Sequence, residues 1–206
     1  MEQPRVPDSP DDNDLAGQGD RREGGRYRTV CRIAKILRDG DAGLWRVRNI
    51  SDGGMMLAAD VSIAVGERLQ IALSDNVVLS ARVVWSDNGR CGVAFDEEVD
   101  GAAVLKQLAA EQRDGDYRPP RLPVHVRAQA VTDDGASEIE ITDMSQSGAG
   151  FVHDGQIEAG KELDLVLVGG LKRKAIVRWS RNGRGGLWLT QPIDRADLES
   201  IRRFES

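Results

Sequence analysis

Apolar and polar residues alternate along much of the chain in short runs of period two, and Gly, Asn and Asp break the runs. Arg46-Val47-Arg48-Asn49-Ile50 alternates before Ser51-Asp52-Gly53-Gly54, and Arg68-Leu69-Gln70-Ile71-Ala72-Leu73 alternates after Gly66. Val77 to Trp85 is rich in β-branched residues and stops at Asp87-Asn88-Gly89, after which Cys91-Gly92-Val93-Ala94-Phe95 resumes the pattern. Glu138-Ile139-Glu140-Ile141 and Leu163-Asp164-Leu165-Val166-Leu167 repeat it further on. Short strands with one apolar face, separated by turn residues, predict antiparallel strands in a meander or small barrel. Helical spacing occurs twice, in Ala102, Leu105, Leu108 and Ala109, and in Ile193, Ala196, Leu198 and Ile201, the latter with Asp194 as a candidate cap.

The two sets of strands are copies of one another. Trp85-Ser86-Asp87-Asn88-Gly89-Arg90 recurs 94 residues later as Trp179-Ser180-Arg181-Asn182-Gly183-Arg184. The same offset pairs Ser51 with Ser145, Gly54 with Gly148, Gly66 with Gly160, Leu69 with Leu163, Val83 with Val177 and Gly92 with Gly186. Solenoid units are shorter, about 20–50 residues, so this period marks a whole domain. The expected division is residues 1–20 as an acidic tail, 21–113 as the first domain, 114–117 as a linker and 118–206 as the second domain.

Charge sharpens this division. The formal net charge is −6, and residues 1–20 hold six acids and one base. With three prolines and few large apolar residues, that tail is expected to be disordered, because it buries too little surface to offset ordering entropy. Residues 21–100 hold 12 bases and 12 acids, and residues 118–206 hold 13 of each. Neither domain has the positive excess that phosphate-backbone binding requires, and aromatic residues make up 4% of the chain, so no DNA or RNA partner is expected. No apolar run reaches the roughly 18 residues of a membrane span, and the acidic N-terminus does not resemble a secretion signal. A cytoplasmic location is the expectation.

Several motifs carry little chemistry. Gly155 to Lys161 approaches a phosphate loop, but Glu162 stands where Ser or Thr belongs and a strand-like run follows where a helix is required. His125 and His153 lie outside any ligand spacing, and Cys31 and Cys91 lack partners, so neither a metal site nor a disulfide framework is expected. No nucleophile elbow is present, and no enzyme activity or cofactor is expected.

What remains is a pair of features in order. Arg21-Arg22-Glu23-Gly24-Gly25-Arg26 is a Gly-containing loop with Arg22 and Arg26 four apart, and Asn49-Ile50-Ser51-Asp52-Gly53-Gly54 ends a strand in a polar turn. Each has an ordinary reading, a solvated basic linker and an Asx or Ser turn. Together they suit a guanine nucleotide. The guanidinium fork matches phosphate oxygens or the O6/N7 edge of guanine and stacks on a base, while Gly54 allows a close backbone approach.

On these residues the chain resembles the PilZ family of cyclic di-GMP receptors, whose pattern is Arg-x-x-x-Arg followed by Asp or Asn-x-Ser-x-x-Gly. Val83-Val84-Trp85 and Gly92-Val93-Ala94-Phe95 resemble the family's closing hairpin. The resemblance implies an all-β fold of two tandem six-stranded antiparallel barrels, each followed by a C-terminal helix. It implies cyclic di-GMP bound without turnover, its guanines and phosphates held by Arg22 and Arg26 with Arg21 auxiliary. Asn49 and Ser51 would hydrogen-bond a guanine and nearby backbone, and Gly54 would keep the turn tight. Trp85 and Trp179 are expected as core or rim aromatics and not as stacking platforms.

The second half departs from the pattern. Asp143-Met144-Ser145-Gln146-Ser147-Gly148 fits the turn motif, but Arg118-Pro119-Pro120-Arg121 has two intervening residues, and Tyr117 stands four before Arg121. The uniform offset sets Arg121 opposite Tyr27 and not Arg26. Arg118, Arg121, Asp143, Ser145 and Gly148 form a possible second site, with a scaffold or weak-binding role ranked first. The expected function is a receptor whose arginine arm orders on ligand binding and relays the signal to a downstream protein. The alternative is a ligand-independent interaction adaptor.

Overall fold

The computed structural model describes residues 27–115, 118–155 and 157–204. The expected acidic tail, and Arg21, Arg22 and Arg26, lie outside the described residues.

Twelve strands close into two six-stranded antiparallel barrels. The first comprises β1 (Tyr27–Arg38), β2 (Asp41–Ser51), β3 (Gly54–Ala58), β4 (Arg68–Ala72), β5 (Val78–Asp87) and β6 (Arg90–Phe95), in the order β1-β2-β3-β6-β5-β4. The second comprises β7 (Leu122–Thr132), β8 (Gly135–Ser145), β9 (Gly148–Val152), β10 (Glu162–Leu167), β11 (Lys172–Arg181) and β12 (Arg184–Leu189), in the order β7-β8-β9-β12-β11-β10. Closure leaves no open sheet edge among the described strands. Strand β7 shows the alternation plainly: Leu122, Val124, Val126, Ala128 and Ala130 are buried while the residues between them face out. The repeated Asn-Gly pairs make the tight hairpins, with φ of +45° and +70° at Asn88 and Gly89 and of +52° and +72° at Asn182 and Gly183. Positive φ at both central positions matches the twist of the flanking strands, and Asn followed by Gly tolerates it best.

Bulges recur at matching places in the two barrels, between Val47 and Asn49 and between Ile141 and Asp143, and again between Val83 and Trp85 and between Val177 and Trp179. Trp85 and Trp179 follow these bulges on the outer surface, half-exposed, each lying against a glycine of the partner strand, Gly92 or Gly186. Both are surface aromatics and not core residues.

One helix, α1 (Gly101–Arg113), follows the first barrel, capped by the Asp100 carboxylate, which accepts from Ala103 N at 2.8 Å. Leu108 is its buried anchor, and Arg32 of β1 donates to the Leu108 carbonyl and to Gln112. The helix expected after the second barrel does not form. Two short 3₁₀ turns, Arg195–Glu199 and Ile201–Arg203, stand there instead, split by Ser200 in an extended conformation, and Asp194 makes no side-chain cap. Tertiary contacts override the local spacing. Leu198 and Phe204 enter the second barrel's core together with Ala42 and Leu44 of β2, whereas Trp45 and Val47 belong to the first core. The segment thus fills the seam between the barrels, and a regular helix would break its contacts. Ser200 Oγ donates to the buried Asp41 carboxylate at 2.9 Å, Trp45 Nε1 donates to the Glu199 carbonyl at 2.9 Å, and Asp60 N donates to the Glu199 carboxylate. No helix among the described residues is long and apolar enough to cross a membrane.

Candidate ligand-binding turns of the two barrels

The β2–β3 turn is built by local bonds. Ser51 Oγ donates to the Gly54 carbonyl at 3.2 Å. The Asp52 carboxylate accepts from Gly101 N at 3.0 Å, tying the turn to the start of α1, and the Gly53 carbonyl accepts from Phe95 N at 3.1 Å. Gly54 is sterically required, because a Cβ there would lie 2.1 Å from the Val93 carbonyl oxygen. The turn is therefore fixed by the chain's own bonds. Asn49 sits half-buried just after the β2 bulge, and its amide makes no hydrogen bond to another described residue. Donor and acceptor are both free there, as base recognition requires. Ser51 spends its proton on the turn and keeps lone pairs to accept a bond. Strand β1 begins opposite this turn, Tyr27 pairing with Ile50 and Arg28 with Asn49.

The β8–β9 turn repeats the construction, with Ser145 Oγ donating to the Gly148 carbonyl at 3.2 Å and the Ser147 carbonyl accepting from Leu189 N at 2.9 Å. A Cβ on Gly148 would come within 2.8 Å of the Leu187 carbonyl oxygen. Strand register corrects the uniform offset. Leu122 pairs with Met144 as Tyr27 pairs with Ile50, so Leu122 is the counterpart of Tyr27 and Arg121 the counterpart of Arg26. Asp143 replaces Asn49, and its carboxylate is ion-paired with Arg121 Nη1. Arg118 is exposed and makes no hydrogen bond or ion pair with the other four second-site residues.

A cavity of about 370 Å³ adjoins this second turn, lined by Arg121, Ser145, Ser147, Gly148, Arg178, Leu187 and Trp188. Arg178 and Trp188 escaped the sequence reading. The signal was present at the 94-residue offset, where the first domain has Val84 and Ala94.

The remaining chemistry is structural. The approximate phosphate loop is a turn into β10, with Gly160 at φ +87° and its N–H on the Val177 carbonyl. Lys161 is ion-paired with Asp134. His125 contacts Glu140 at 3.0 Å and His153 contacts Ser180 at 3.1 Å. A larger cavity of about 720 Å³ on the second barrel includes Glu138, Glu140 and Asp154 against Arg127, a lining ill-suited to phosphate. Among the described residues no cluster of three or more His, Cys, Asp or Glu is placed to hold a metal ion.

The family model described as the PilZ domain matches the chain twice, over residues 20–111 and 112–205. The chain belongs to the PilZ domain family. No curated protein matches it significantly. Among solved structures it is similar to the PlzA protein of Borreliella burgdorferi in complex with c-di-GMP, at 12% identity and a TM-score of 0.37, over 89% of this chain and 95% of that one. It is also similar to the inhibitor of motility (MotI/DgrA) of Bacillus subtilis, at 11% identity and a TM-score of 0.34, over 81% and 91%. YcgR from Escherichia coli, in complex with c-di-GMP, is similar at 9% identity and a TM-score of 0.29, over 79% and 76%. The tandem PilZ barrels differ at their turns: the first offers an unpaired Asn49, the second an Asp143 already paired with its arginine.

Proposed function

We propose that the chain is a non-catalytic, cytoplasmic receptor for cyclic di-GMP that takes its ligand at the first PilZ barrel and passes the signal to a protein partner. The observation that carries this reading is the unpaired Asn49 amide beside the pre-locked Ser51–Gly54 turn, at the place where β1 enters the barrel. The arginine arm directly precedes Tyr27 in the sequence, and Tyr27 pairs with Ile50 beside the turn. In this reading Asn49 binds a guanine edge, Ser51 accepts a bond, and Arg22 and Arg26, with Arg21 auxiliary, grip phosphates and stack on bases. Strand β2 supports a relay, because its Asp41–Trp45 end holds the seam to the second barrel while its Asn49–Ser51 end meets the ligand.

Calorimetric titration with cyclic di-GMP tests the proposal. Asn49→Ala is expected to weaken binding about tenfold, since losing a buried polar contact costs about 1–3 kcal/mol. An Arg22→Ala, Arg26→Ala double variant is expected to abolish first-site binding. Affinity unchanged in both variants would sink the reading.

A further inference from the structure

The hairpin between β11 and β12 differs from its first-barrel copy in a way the fold does not favour. Arg181 pairs directly with Arg184 across the hairpin, and both side chains are exposed. Like charges directly opposite each other on antiparallel strands are destabilising. The first barrel sets Asp87 against Arg90 at the same place, so the barrel closes without a like-charge pair. Asn182 and Gly183 make the same turn as Asn88 and Gly89, so turn geometry gives no reason for the exchange.

The neighbouring residues extend that pair into a surface. Trp179 follows the β11 bulge, two residues before Arg181, and is 48% exposed. It lies against Gly186, where a Cβ would come 2.3 Å from the indole nitrogen, and Gly186 pairs in turn with Gly150. Arg178 stands in the bulge itself, exposed, where the first barrel has Val84. No ion pair joins Arg178, Arg181 or Arg184 to a described residue. On the β8 side the bordering carboxylates are engaged: Asp143, opposite Gly150, with Arg121, and Glu140, opposite Val152, with His125. The strip thus carries three arginine charges around a half-exposed tryptophan, whereas Val84, Asp87 and Arg90 carry no net charge around Trp85. Tryptophan and arginine are the residues on which the binding energy of protein interfaces concentrates.

Charge decides the kind of partner. A nucleic-acid duplex needs a long positive footprint, but the second domain balances 13 bases with 13 acids, and the cavity reached at Val152, next to Arg184, is lined by Glu138, Glu140 and Asp154. A short acidic stretch of protein meets the arginines without reaching those carboxylates. We propose that this strip is where the chain holds its protein partner, and that the partner presents an acidic segment with an apolar side chain, its carboxylates on Arg181 and Arg184 and the apolar group on Trp179. The inference rests on the receptor reading for the existence of a partner.

Fluorescence anisotropy of the full chain with a labelled peptide of alternating Glu and Leu tests the strip, at low salt and without cyclic di-GMP. Arg181→Asp and Trp179→Ala are each expected to weaken peptide binding about tenfold, as for loss of an interface anchor or a complementary charge. Arg181→Asp also recreates the charge pairing of the first barrel, so its urea midpoint is expected to equal or exceed that of wild type, which separates lost binding from lost folding. Arg90→Ala, on the first hairpin, is expected to leave peptide binding unchanged; an equal loss there would reduce the effect to general charge and overturn the inference. Peptide binding indifferent to Arg181→Asp and Trp179→Ala overturns it as well. So does tighter binding of duplex DNA, or of a peptide with the sequence of residues 1–20, through the same residues, and so does self-association of the chain that Arg181→Asp abolishes. A peptide affinity that saturating cyclic di-GMP does not shift overturns the relay in the receptor reading and not the strip.

Discussion

Trp45 Nε1 donates to the backbone carbonyl of Glu199 at 2.9 Å, across the seam between the two barrels and 154 residues along the chain. Gly43 makes the approach possible, since a Cβ there would lie 2.0 Å from the same oxygen. Contact of this kind has a backbone atom on the far side, so no rotamer change relieves it. Gly43→Ala is expected to destabilise the protein by about 1–3 kcal/mol, the usual cost of overpacking, read as a lower urea midpoint. A midpoint equal to wild type would show that the seam opens without cost.

Glu199 makes the same seam sensitive to pH. Its carboxyl is buried, and desolvation, with the nearby Asp60 charge adding, raises its pKa above the ordinary glutamate value, while the bond from Asp60 N and the charges of Arg203 and Arg46 oppose the shift. The native state then holds a proton that the unfolded chain has released, from the unfolded value of about 4.3 up to the raised native value. Stability contributed by this group is present below that window and falls as pH rises through it. Glu199→Gln keeps an acceptor for Asp60 N but does not titrate, so its stability profile from pH 4 to pH 7 is expected to lose this slope. Urea midpoints measured across that range decide the matter; parallel profiles would remove Glu199 as the source.

The seam also marks where the sequence ran out. Period two located the strands because each barrel strand has one dry face, and Asn88-Gly89 and Asn182-Gly183 located the hairpins because few residues accept positive φ twice. The 94-residue repeat exposed Ser51 with Ser145 and Gly54 with Gly148, which do occupy matching turns. The Ile193–Ile201 spacing misled, because Leu198 and Phe204 are organised by Ala42 and Leu44 of another domain and not by their own helix periodicity. Asp41 to Trp45 is buried at every position, breaking the alternation, and that break is the local trace of an interdomain strand. Trp188 and Arg178 are visible in the sequence only as departures from Val84 and Ala94 at the 94-residue offset; cross-strand register and a bulge are what bring them to the Gly148 turn.

Cys91 reports on the first barrel alone. It is fully buried, and its thiol pKa is pushed from 9.0 to about 11, by burial first and by the Glu67 carboxylate second, with Arg38 opposing. Thiolate is the reactive form, so in a Cys31→Ser background alkylation at pH 8 is expected to be slow until urea unfolds the chain. Between pH 9 and about 11 the native state keeps a proton that the unfolded state loses. Stability is therefore expected to fall as pH rises through that range, and Cys91→Ala to flatten the fall while lowering stability overall. Labelling of the native protein as fast as in urea would contradict this burial.

Asp143 separates the two turns electrostatically. Its ion pair with Arg121 is partly exposed, the two side chains being 34% and 48% accessible, and pairs of that kind contribute about 0–1 kcal/mol. Asp143→Asn is thus expected to leave the melting temperature almost unchanged. It removes a negative charge next to the cavity shared by Arg121, Arg178 and Trp188, and it releases Arg121 Nη1 for an incoming anion. A nucleotide phosphate at the second barrel is expected to bind about three- to tenfold more tightly in the variant at low salt, with the gain shrinking at high salt as screening shortens the reach of the lost charge. Calorimetry with guanosine monophosphate at two ionic strengths measures both effects. Unchanged or weaker binding would mean that Asp143 positions Arg121 for the ligand instead of competing with it.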